Sequence, residues 1–161
     1  MKRLFVIRHA RSSGKVAGVH DHERPLIPAG NAQIKELGSK LLSLSVKPDI
    51  ILCSTALRAR QTAQLLVESL DIPANIIETD SELYLIDSSE LKFKIAQLRD
   101  NIHTVFVIGH NPAMTNFVNY FLNPRIDDLP AAGLIGIELD AEDWEQYTKV
   151  RHTVILKCFP F

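Results

Sequence analysis

The stretch "LFVIRHARSSGK" (residues 4–15) sets an arginine and a histidine, Arg8 and His9, directly after four apolar residues. A neutral imidazole nitrogen can attack phosphorus. A guanidinium stays charged at every relevant pH, and its planar fork matches phosphate oxygens. The same residue types recur at two further points. Ser54 closes the run "IILCS" and is followed by Arg58, while His110 and Asn111 follow the run "TVFVIG". Each residue alone has a plainer reading. A histidine at the end of a strand is more often hydrogen-bonded structure, and Arg58 shares a helix with Arg60, which offers the same charge to solvent. Together the four suit a phosphoryl group. Helix N-termini after Ser54 and His110 would add backbone donors and a favourable dipole. The arginines would stabilise charge on the equatorial oxygens through the transition state. This chemistry needs no metal and no cofactor.

The elements that must position these residues follow from the apolar patterning. Residues 4–7 read as a buried strand, followed by a polar loop from about 9 to 28. "AQIKELGSKLLSL" carries Ile34, Leu37, Leu41, Leu42 and Leu44 at helical spacing, with Gly38 as a weak point. "DIILCS" reads as a second strand. "TALRARQTAQLLVESL" reads as a helix with Ala56, Ala59, Ala63, Leu66 and Leu70 on one face. "ANIIETD" suits a short third strand, and Asp87 to Glu90 matches a capping box ahead of "LKFKIAQLRD". "TVFVIG", apolar and rich in β-branched residues, is the clearest strand. "NPAMTNFVNYFL" reads as a helix with Pro112 in its first turn. "GLIGIEL" and "TKVRHTVILKCF" read as two late strands, antiparallel and towards one edge, with a turn near residues 140–146. Alternating strands and helices imply an α/β fold. The expected architecture is a three-layer α/β/α sandwich with a mostly parallel central sheet and an antiparallel edge. In such sheets ligands bind beyond the carboxyl ends of the strands, which is where the four residues fall.

A chain of 161 residues suits one domain, expected to span residues 1–161. With 46% apolar and 23% charged residues, the composition is that of a folded globular protein. The formal net charge of −1 supplies no global basic field, which argues against nucleic acid or an anionic membrane as partner. No apolar stretch approaches the roughly 18 residues of a membrane span. The four apolar residues after Lys2-Arg3 are too few for a signal peptide, so a cytoplasmic location is expected. Cys53 and Cys158 cannot build a disulfide framework and read as buried free thiols.

Three blocks carry a resemblance to a known family. "FVIRHARSSG" resembles the Arg-His-Gly-type signature of the histidine phosphatase, or phosphoglycerate mutase-like, superfamily. "CSTALRARQTAQLL" resembles its second block through Ser54, Arg58, Gln61, Thr62 and Ala63, and "VFVIGHNPAM" resembles its third. The blocks occur in the family's order. The resemblance implies that His9 is the nucleophile that becomes phosphorylated. It implies that Arg8 and Arg58 bind the phosphoryl group and that His110 completes the pocket. Ala10 stands where the family usually has glycine, as in related short members.

"HDHERPLIPAG" resembles a segment of the SixA-type phosphohistidine phosphatase subgroup, which nominates Arg24 as a third phosphate-facing arginine and Asp21 as its partner. Ser12 and Asn111 are further candidate donors to phosphate, with an ordinary loop position and helix capping as their plainer roles. Ester-cleaving members place a general-acid carboxylate in a Leu-x-Glu context after the third strand. Here "DSELYLID" puts Leu85 at that place, with Glu82, a candidate proton donor, and Asp80 nearby but out of register. A phosphoramidate needs that acid less than an ester does. The expected function is therefore a metal-independent phosphoric monoester or phosphoramidate hydrolase. Its expected substrate is phosphohistidine on a phosphorylated protein, with a small phosphorylated molecule as the alternative. A catalytically weak phospho-binding module is the contrasting class. His20-Asp21-His22-Glu23 looks metal-like, but a charged loop beside the site is the simpler reading. Ser54 has no triad partner. His103, His152, Trp144 and Tyr147 show no site logic.

Overall fold

A computed structural model describes residues 1–160. Their strands are β1 (Lys2–Arg8), β2 (Ile50–Ser54), β3 (Ile77–Asp80), β4 (Thr104–Gly109), β5 (Leu134–Leu139) and β6 (His152–Cys158). They form one sheet in the order β3-β2-β4-β1-β5-β6. β1 to β4 run parallel, and β5 and β6 add an antiparallel edge beyond β1. The helices are α1 (Pro28–Ser43), α2 (Leu57–Ser69), α3 (Ser88–Ala96) and α4 (Ala113–Val118).

The central strands are apolar on both sides because both faces of the sheet are covered. Phe5, Ile7, Ile51, Cys53, Phe106 and Ile108 pack with Ile34, Leu37 and Leu41 of α1 and Ala59, Ala63 and Leu66 of α2. The alternate residues, Leu4, Val6, Leu52, Val105 and Val107, pack with Leu91 and Ile95 of α3 and Met114 and Phe117 of α4. The two-residue period of the strands thus separates two cores and gives the three-layer sandwich. Trp144 and Tyr147, in the segment between β5 and β6, are buried members of the second core.

The chain passes from β1 to β2 and β3 on one side, then returns through β4 to β5 and β6 on the other. The direction of connection therefore reverses between β1 and β4, and a crevice opens there at the carboxyl ends. Asp87 and Glu90 form both bonds of the capping box at α3. Three expectations are corrected. α4 ends at Val118 rather than continuing to residue 122. There the Asn119 side chain bonds both the N–H and the carbonyl of Ile126, which turns the chain away. The polar loop contains a 3-10 turn at Asp21–Glu23. Cys158 is half-buried, because it lies in the edge strand.

Candidate active site

β1 and β4 lie side by side with Arg8 opposite Gly109, so their next residues, His9 and His110, emerge as neighbours. The His9 N–H donates to the Gly109 carbonyl at 3.1 Å, extending the ladder by one residue. The two imidazole centroids are 5.0 Å apart. Residues 101 positions apart in the chain thus meet because two parallel strands end in register.

His9 is buried. Its Nδ1 lies 2.8 Å from its neighbour Ala10's carbonyl oxygen, which can only accept, so Nδ1 carries the proton. The lone pair is therefore on Nε2, where Arg58 Nε–H donates across 3.4 Å. Burial pushes the His9 pKa down to about 4. The Ala10 carbonyl opposes this, and the charges of Arg58, Arg8 and Arg24 add to it. His110 is lowered to about 3, first by burial and then by His9 and Arg58. Both rings are neutral at pH 7, and a neutral ring is what nucleophilic attack by His9 requires.

Ser54 ends β2 and meets His110 Nε2 at 2.8 Å through its hydroxyl, which also accepts the Ala56 N–H at 3.2 Å. Among the described residues, His110 Nδ1 and Arg8 Nε are buried with no hydrogen-bond partner. Buried polar atoms are rarely left so, and two beside one crevice fit a site that receives an anion. Arg8 is steadied through Nη1, which donates to the Leu129 carbonyl at 3.0 Å. Asn111 donates to that carbonyl and to Asp128, and its own carbonyl accepts from the N–H and hydroxyl of Thr115. Asn111 therefore fixes the 128–129 loop against α4.

Asp21 is the hub of the cluster. Its carboxylate accepts from Arg24 Nε and Nη2 at 3.0 and 2.8 Å, from Arg58 Nη2 at 3.0 Å and from the Tyr84 hydroxyl at 2.5 Å. Its main-chain carbonyl accepts Arg58 Nη1 at 2.7 Å. The Tyr84 bond, followed by the Arg24 bond, holds this carboxyl well below the usual carboxylate range. Arg24 also donates to the Ser13 carbonyl. Arg58 thus spans the site, with Asp21 on its two terminal nitrogens and His9 on its Nε.

The sequence-predicted residues His9, His110, Arg8, Arg58 and Arg24 are brought together by these contacts and charges. Ser12 is bridged through its backbone to Leu26 and precedes Ser13, whose carbonyl takes Arg24. Glu82 is directed elsewhere. Its side chain is 74% exposed and its carboxylate meets Lys94 Nζ at 2.7 Å, where Asp80 pairs as well. Leu85 is 85% exposed. A groove of about 650 Å³ between α3 and residues 145–149 contains none of the site residues.

Three contacts of the site escaped sequence reasoning. Tyr84 sits edge-on to His110 with centroids 5.6 Å apart and to His22 at 4.8 Å. Thr62 accepts the Ala10 N–H at 3.1 Å and fixes the residue after His9. Thr55 holds His22 Nε2 at 2.8 Å. Thr62 had a signal in the Gln-Thr-Ala match of the second block. Tyr84 had none beyond its place in "DSELYLID", next to Leu85.

A crevice at a strand switch point, holding two neutral imidazoles among three guanidiniums, marks an α/β protein suited to an oxyanion. A family model described as the histidine phosphatase superfamily (branch 1) matches residues 4–97, more than half of the chain, and the chain belongs to that superfamily. An uncharacterized protein of Mycobacterium tuberculosis is 38% identical over 106 residues, covering 66% of this chain and 63% of its own length. The adenosylcobalamin/alpha-ribazole phosphatase of Salmonella typhi is 36% identical over 87 residues, covering 53% of this chain and 42% of its own. The chain therefore spans less than two thirds of the length of these curated relatives. The solved SixA structure from Agrobacterium tumefaciens matches with a TM-score of 0.80 and 26% identity over 99% of both chains. The protein histidine phosphatase SixA solved with tungstate has the same fold, with a TM-score of 0.78 and 22% identity over 96% of this chain and 95% of its own.

Proposed function

We propose that the protein is a phosphatase in which His9 takes the phosphoryl group and passes it to water. The observation that carries this reading is the state of His9: neutral, with its proton fixed on Nδ1 and its Nε2 lone pair facing Arg58. The incoming phosphoryl group displaces the weak Arg58 Nε contact and gains the guanidinium as a ligand. Nε2 attacks phosphorus in line with the leaving group. Arg8, Arg58 and Arg24 stabilise the equatorial oxygens, and His110 closes the pocket from the β4 side. Ser12 and Asn111 lie near enough in the chain to assist, although the Asn111 side chain is already committed. No step calls on a metal or a cofactor.

The substrate we favour is phosphohistidine on a protein. Two observations support it. No carboxylate stands at position 85, and Glu82 is paired with Lys94, so the carboxylic acid that an ester needs is missing where the family usually has one. The likeness to SixA of Agrobacterium tumefaciens runs through essentially the whole of both chains. A second reading, a small-molecule phosphomonoesterase, draws support from the identity with the Salmonella typhi phosphatase.

Intact-protein mass spectrometry on a rapid quench tests the reading, after mixing with a histidine-phosphorylated carrier protein. We expect a transient phosphoryl adduct that is lost in His9→Ala, and slower turnover of p-nitrophenyl phosphate. Fast ester turnover through the same adduct selects the phosphomonoesterase. Phosphate binding with neither adduct nor turnover makes the site a reader of phosphorylated partners.

A further inference from the structure

Attack by His9 leaves the His22 imidazole without a role and the leaving group without a proton source. Those two gaps coincide at His22. This residue sits in the 3-10 turn Asp21–Glu23, with a third of its side chain exposed, at the outer side of the cluster. Its Nδ1 meets Glu23 Oε1 at 3.0 Å and its Nε2 meets Thr55 Oγ1 at 2.8 Å. A carboxylate only accepts, so Nδ1 holds a proton whenever that bond stands. A hydroxyl can donate or accept, so Thr55 accommodates Nε2 with or without its proton. The surroundings thus tolerate both states of the ring, as an acid that must be reloaded in each turnover requires.

The position is equally specific. Thr55 follows Ser54, whose hydroxyl holds His110, so consecutive hydroxyls at the end of β2 carry the two rings. Both rings lie edge-on to Tyr84. Asp21, the preceding residue, holds Arg58, whose Nε reaches His9. The other titratable groups of the site are unsuited to giving a proton at pH 7. His9 and His110 are kept neutral and Asp21 ionised, while the Tyr84 hydroxyl is tied to Asp21, which raises its pKa.

We infer that His22, held between Glu23 and Thr55 at the edge of the crevice, is the general acid of this phosphatase and replaces the family's missing carboxylate. The inference rests on the phosphatase reading and holds for either substrate, since it supplies a proton donor in place of the missing carboxylate. In the first half-reaction the His9 Nε2 lone pair forms the bond to phosphorus and the bond to the leaving atom breaks. That atom keeps the electron pair and takes the proton from His22 Nε2. In the second half-reaction water attacks phosphorus and gives a proton to neutral His22. The phosphorus–nitrogen bond breaks and returns its pair to His9.

The test compares phenyl phosphate, whose leaving oxygen needs a proton, with 2,4-dinitrophenyl phosphate, whose leaving group departs as a stable anion. Phosphoenzyme formation is followed in single turnover. His22→Asn is expected to slow the phenyl ester about 100-fold, the scale of one lost proton donor, and the dinitrophenyl ester far less. Equal slowing of both esters by His22→Asn makes His22 a latch for its turn and overturns the inference. So does a wild type that cleaves only the dinitrophenyl ester. No phosphoenzyme from either ester or from a histidine-phosphorylated carrier overturns the phosphatase reading itself, and this inference with it.

Discussion

Arg58 is buried, yet all three of its nitrogen positions are engaged at once, Nε by His9 and the two terminal nitrogens by Asp21. A lysine would keep the charge but not the fork. We therefore expect Arg58→Lys to slow phosphoenzyme formation by about 100-fold or more, the scale of losing one preorganised donor at a transition state. Circular dichroism would show the fold retained. A rate within a few-fold of wild type would show that charge alone suffices at this position. At this scale the sequence was informative about identity and silent about state. Arg8, His9, Arg58 and His110 announced themselves by standing after apolar runs. Which His9 nitrogen carries the proton depends on the Ala10 carbonyl and Arg58, so only the folded geometry decides it.

At the scale of elements, the close approach of α1 to the chain leaving β1 keeps His9 in place. Gly30, in the first turn of α1, is where this approach is tightest. A Cβ there would lie 2.2 Å from the Arg11 carbonyl oxygen, and that atom is backbone and cannot swing aside. The Ile27 N–H bonds the same oxygen at 3.1 Å, so the contact is fixed from both sides. Gly30→Ala should destabilise the protein by about 1–3 kcal/mol, as overpacking does, with a lower urea midpoint and weaker activity because Ala10 and His9 shift. An unchanged midpoint would mean that α1 slides at no cost. The elements themselves were mostly legible. The strands, the capping box of α3 and the antiparallel edge follow from local pattern. The end of α4 does not, because Asn119 stops it by bonding Ile126, a loop residue that carries no periodicity.

For the whole molecule, burying two neutral histidines ties stability to pH. Their folded pKa values of about 4 and about 3 lie below the ordinary 6.5, so the unfolded chain binds more protons between these limits. Stability is then complete above about pH 6.5 and falls as pH drops towards 4. At about pH 5 the loss is of the order of 2 kcal/mol for each histidine, from about 1.4 kcal/mol per pH unit below 6.5. Urea titrations at pH 7 and pH 5 should show this drop, and His110→Asn should lessen it. A midpoint independent of pH would mean that the two rings are not held neutral.

The sequence by itself determined the superfamily-like blocks, the layer order and the chemical types at the crevice. These are written in short stretches, where an apolar run must be a strand and the residue after it must leave the sheet. Only the tertiary structure decided the hub at Asp21, the pairing of Tyr84 with a residue 63 positions away, and the place of His22 on Thr55. Those contacts join segments that share no local pattern, and their energies come from burial and charge that exist only once the sheet has brought its carboxyl ends together.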